Sequence, residues 1–164
     1  MKFLKEGERI AREVGDVTLE ADIQGALGLC ATQLLEFEQA GEALSEALRV
    51  AVLIEDMARR ALFLEAQARL LVHPENPELD REGALARARE AVRLTREADL
   101  SVRERAQALD ILARVFLEMN RPLSAFAILR KAYRLMEAEG EPKRLKDEIT
   151  ERYKGLAKQL NKGI

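Results

Sequence analysis

Tryptophan is absent from the 164 residues, cysteine occurs once, and Phe and Tyr together make up 4%. A lone cysteine, Cys30, excludes an internal disulfide framework and fits a reducing compartment. No short apolar leader follows Met1, and no apolar run approaches the roughly 18 residues a membrane span needs. The expectation is a soluble, cytoplasmic protein without a membrane partner. His73 is the sole histidine and lies in a Pro-flanked loop, and no His, Cys, Asp or Glu cluster has metal-ligand spacing. Gly25 and Gly28 fall inside a helical stretch and lack the Lys-Ser/Thr that completes a phosphate loop. The basic faces carry few aromatics, so nucleic-acid bases would find no stacking platform. These absences point away from an enzyme, a cofactor, a metal centre and direct nucleic-acid contact.

What the chain does have is Leu, Ala, Glu and Arg. Hydrophobic residues make up 48% and charged residues 34%, with only 4 prolines. Few residues are β-branched, so the composition argues an all-α fold. Arg outnumbers Lys 19 to 8, a thermophile-like balance. Charge is unevenly spread: residues 1–56 hold 12 acidic and 5 basic groups, residues 57–164 hold 17 and 22. Solvated helix faces account for most of this, although an acidic front and a basic rear could also steer a partner or a second copy. Acidic and basic side chains alternate at helical spacing, as in Glu42, Glu46 and Arg49, which reads as surface pairing.

The clearest organisation lies at Leu109–Tyr133. Leu109, Leu112, Ala113 and Phe116 fall on one helical face, Asn120-Arg121-Pro122 punctuates, and Ala125, Leu129, Ala132 and Tyr133 form a second face. Small residues at Ala113, Ala125 and Ala132 let two helix axes approach closely. This pattern, L-x-x-L-A-x-x-F, a turn, then A-x-x-x-L-x-x-A, resembles the tetratricopeptide repeat. Its second-helix alanines recur at Ala40, Ala84 and Ala125, 44 and 41 residues apart. That period resembles the longer repeats of some bacterial regulators more than the common 34-residue form.

Read in this register, residues 1–15 are a leading half-repeat, 17–55, 56–98 and 99–140 are three repeats, and 141–164 is a capping helix. Helices are expected at about Val17–Leu35, Met57–Val72, Arg81–Glu97, Ser101–Met119 and Pro122–Ala138, with Asp56 and Ser101 as N-caps. For Met57–Val72 the inward line is taken as Leu64, Ala68 and Leu71 rather than Leu62, Ala66 and Arg69. Gln24 stands where a large apolar side chain is expected, and Cys30 is expected to be buried. The last helix carries its apolar line on Leu145, Ile149, Tyr153, Leu156 and Leu160, with a basic, polar outer face suited to a cap.

The resemblance implies a right-handed α-solenoid of about eight helices in antiparallel pairs, holding another protein's segment in a concave groove. The repeat register puts Asp22, Leu29 and Thr32 in that groove, followed by Leu62, Glu65 and Arg69, then Gln107, Asp110, Arg114 and Leu117. None is Lys or Asn, so the sequence departs from the subset of the family that clamps C-terminal carboxylates. An adaptor for a protein or peptide partner is the first functional expectation. The alternative is a regulatory module working with a DNA-binding transcription factor or signalling partner, suggested by the repeat length. Phe3, Leu4, Ile10 and Val14 on the first helix need cover, which implies self-association through that end.

Overall fold

The computed structural model describes residues 2–139 and 143–160. Among them are eight α-helices: α1 (Lys2–Val14), α2 (Val17–Gln33), α3 (Phe37–Leu53), α4 (Met57–Leu71), α5 (Arg81–Glu97), α6 (Val102–Glu118), α7 (Pro122–Glu139) and α8 (Lys143–Gln159). Each helix packs against its neighbours in sequence as antiparallel pairs, and α4 also touches α2 and α6. None is long and apolar enough to cross a membrane among the described residues.

Helix starts follow side-chain chemistry. Asp16, Asp56 and Asp80 each accept a hydrogen bond from the backbone N–H three residues on, at 3.0, 2.9 and 2.9 Å. Ser101 and Glu104 satisfy each other's backbone N–H in a reciprocal capping box at the start of α6. Helix ends follow one repeated turn. Gly15, Leu35, Glu55, Asp99 and Asn120 all adopt positive φ directly after a helix. After α2, the Leu35 N–H donates to the Thr32 carbonyl at 3.2 Å and the Glu36 N–H donates to the Ala31 carbonyl at 2.9 Å. The same bond pair recurs at the other four positions and satisfies carbonyls the helix leaves open.

The α4–α5 connection breaks this series. Here the buried Asn76 organises a longer turn, its Nδ2 donating to the Leu70 carbonyl at 2.8 Å while its Oδ1 accepts from the Glu78 N–H at 2.9 Å. This is the Pro-flanked loop that begins at His73.

Small residues set the interhelix spacing. Ala40, Ala84, Ala125 and Ala132 are fully buried. A Cβ at Gly28 would lie 2.5 Å from Leu44 Cγ and 3.2 Å from the Ala40 carbonyl, so α2 and α3 meet closely enough that any larger residue would make Leu44 shift. Gly25 does the same for the Phe63 ring of α4. Leu64 and Ala68 face the interior, while Leu62 and Arg69 are exposed, in keeping with the expected register. Ala66 is buried as well, so α4 is covered on more than one side. Cys30 is half-buried rather than buried, because it stands beside the packing line that runs through Leu27, Gly28 and Ala31.

From α4 to α8 the apolar side chains join in one continuous core containing Ile111, Val115, Leu129, Met136, Ile149 and Tyr153. Tyr153 stacks between Phe126 and Tyr133, with ring centroids 5.2 and 5.3 Å apart. From α1 to α5 smaller, separate clusters take its place.

Candidate functional site

The ten positions expected to face a groove lie on α2, α4 and α6, and nine of them line two cavities. The first cavity, about 560 Å³, collects Leu29 and Thr32 from α2, Arg69 from α4, and Arg114 and Leu117 from α6. His73 and Pro74 from the α4–α5 turn and Arg152 from α8 complete its wall. The second, about 310 Å³, collects Asp22, Leu62, Glu65 and Gln107, with Arg59, Leu100 and Glu104 beside them.

Much of the polar surface is already committed to holding the helices. Arg59 donates through Nε and Nη2 to both oxygens of Asp22, each at 2.8 Å, and through Nη1 to Asp56 at 2.6 Å, tying α4 to α2. Thr32 donates its hydroxyl to the Gly28 carbonyl at 2.8 Å. Asp110 is buried and accepts from Arg114 at 3.1 Å on its own helix and from Arg152 on α8. Gln107 donates to the buried Glu65 at 3.1 Å, linking α6 to α4.

Two of the ten positions differ from the rest in burial. Glu65, on the wall of the second cavity, and Asp110 are buried and bonded as interhelix links. A carboxylate taken out of water is tolerated only with such partners. Asp110 has them in two guanidiniums. Glu65 has one amide, and burial pushes its pKa up to about 7 against the opposing effects of Gln107 and Arg69, with Asp110 and Glu104 adding to the rise.

The accessible chemistry is a short set. Leu29, Leu62 and Leu117 are 39%, 43% and 37% exposed, one from each of α2, α4 and α6. Arg69 and Arg114 are exposed between them. Partial desolvation, with Arg114 and Arg152 nearby, lowers the Arg69 pKa against the pull of Glu65 and Asp110. Arg152 is not among the residues the sequence singles out, because the basic face of α8 reads as a solvated cap, while this side chain lines the cavity and bonds Asp110. At the other end of the chain, Val14 is 74% exposed and Ile10 is exposed too, while Ala11 packs with Ile23 and Leu27. The Phe3 and Leu4 side chains lie outside the described residues.

Among the described residues, no three or more His, Cys, Asp or Glu side chains are grouped to hold a metal ion. His73 Nδ1 instead accepts from the Glu75 N–H at 3.3 Å, and its ring lies 5.2 Å from that of Phe37. The chain matches no protein-family model and no curated protein.

Proposed function

We propose that the chain is a non-catalytic interaction module, a tetratricopeptide-like right-handed solenoid that holds a segment of another protein against α2, α4 and α6. The helix pairs at 17–55, 56–98 and 99–140 are its repeats, residues 1–15 a leading half-repeat and 141–164 its cap. One observation carries this reading. Successive first helices touch in order, and each presents an exposed leucine beside a cavity, Leu29, Leu62 and Leu117. A row of apolar side chains rimmed by charge is the surface expected of a protein-binding site.

The test uses a partner captured from the source organism and then purified. Leu29→Ser with Leu117→Ser is expected to weaken that partner at least tenfold in calorimetry, about 1.4 kcal/mol, with helicity unchanged by circular dichroism. Equal binding by parent and variant would move the site to another face. Self-association through α1 belongs to the same proposal, motivated by exposed Ile10 and Val14. Sedimentation should show a concentration-dependent dimer that Val14→Glu abolishes, and a parent that stays monomeric throughout removes it.

A further inference from the structure

Three guanidiniums from three helices, Arg69, Arg114 and Arg152, meet in the larger cavity. Two of them are fixed on one buried carboxylate, Asp110. The third is not. Among the described residues Arg69 makes no hydrogen bond and has no carboxylate within ion-pair distance; Glu65 acts on it only through space. An arginine fork carries five N–H donors in a plane that matches a carboxylate two-point fashion, and here that fork stands in a cavity already flanked by Leu29, Leu117 and Val72.

We infer that this cavity takes an Asp or Glu side chain of the bound segment on Arg69, with an adjacent apolar side chain of the same segment resting on Leu29 and Leu117. This rests on the interaction-module reading and adds the chemistry of the occupant. One guanidinium without a bonded carboxylate selects a single carboxylate. Arg114 and Arg152 are shared with Asp110, Glu148 lies 3.9 Å from Arg152, and Glu118 stands on the wall. A doubly charged phosphate would face those carboxylates with one uncommitted guanidinium to hold it; a carboxylate is matched one to one. Arg69 is exposed, so a ligand reaches it without unfolding any helix.

The probe is a displayed library of random 12-residue peptides selected on the whole chain. Enriched peptides are expected to pair Asp or Glu with Leu, Ile, Val or Met. Fluorescence polarisation of one enriched peptide should show about tenfold weaker binding to Arg69→Gln and to the peptide with that Glu changed to Gln. The two losses should not add, because they remove one contact. Arg69→Lys should retain part of the affinity. The peptide change leaves the protein untouched, so the inference stays testable even if an Arg69 variant misfolds. Peptides that bind Arg69→Gln as well as the parent, yet lose binding on Leu29→Ser with Leu117→Ser, overturn the carboxylate site and keep the groove. A phosphorylated peptide binding more tightly than its Glu counterpart overturns the single-charge assignment. Failure to enrich anything over an unrelated helical protein overturns both readings.

Discussion

The front and rear of this bundle use the same helix–turn–helix plan and fill it differently. In α5–α8 the space between helices is taken by Ile111, Leu129, Met136, Ile149 and a three-ring stack, and the apolar contacts run on without interruption into α4. In α1–α3 close approach comes from Gly25 and Gly28, the buried side chains form small separate clusters, and Gln24 occupies an interior position. Close packing alone does not bury much apolar surface; large side chains must be present to be removed from water. The front is thus expected to open at lower free energy than the rear.

The strongest way to break this comparison is a matched truncation. Leu129→Ala removes a fully buried side chain from the continuous core and should cost about 2–5 kcal/mol. Leu27→Ala, in the small cluster with Ala11 and Ile23, should cost about 1–2 kcal/mol less because the surroundings can collapse around the gap. Urea unfolding of both variants measures this. Equal losses would mean that front and rear share one core.

Between the two regions lies Glu65, and its effect depends on pH. Its folded pKa of about 7 exceeds the ordinary value of about 4.3. The folded chain therefore holds that proton more tightly than the unfolded one. This contribution is fully present below about pH 4 and is lost as pH rises to about 7, changing stability by on the order of 3 kcal/mol. Glu65→Gln keeps a side chain able to bond Gln107 and removes the titration. Melting curves should place the variant near the parent at pH 4.5 and clearly above it at pH 8. A gap that does not change with pH would show that Glu65 is charged throughout.

The positions involved show what the sequence could disclose. Asp56 and Ser101 announce helix starts because their side chains accept a local N–H, and both do so. The end of α2 was read two residues late, since nothing in a leucine reveals that Leu35 will adopt φ +62°. Grouping Leu29, Arg69 and Arg114 needed only the repeat register. The burial of Asp110 depends on Arg152, which arrives 42 residues later from a helix read as a cap, and no local spacing encodes such a pairing. Glu65 is the same case: its link to Gln107 exists only once α4 and α6 are side by side.

Overpacking sharpens the comparison at intermediate magnitude. Ala125→Leu forces three carbons into the fully buried α6–α7 seam and should cost about 1–3 kcal/mol. Gly28→Ala adds a single carbon, but against Leu44 and the Ala40 carbonyl. The better helix propensity of alanine returns about 1 kcal/mol, so the net loss should be small, about 1 kcal/mol or less. Thermal melts decide the order. A stabilised Gly28→Ala would show that Leu44 can move aside, and that the glycine in the front is not required for close approach.

The smallest expected effect concerns the repeated turn. Leu35 and Asn120 occupy the same left-handed position after α2 and after α6, at φ +62° and +56°. A leucine there strains against its own backbone by roughly 1–2 kcal/mol, whereas asparagine adopts this conformation readily. Glycine relieves the strain but gives the unfolded chain more freedom, which takes back part of the gain. Leu35→Gly should therefore stabilise by about 0.5–1 kcal/mol, and Asn120→Gly should change little. Leu35 is also 43% exposed, so its removal gives up little buried surface. Paired denaturant titrations should show the front gaining from glycine and the rear staying level. If Leu35→Gly instead destabilises, the leucine side chain is holding α2 against α3, and the front is better packed than its separate clusters imply.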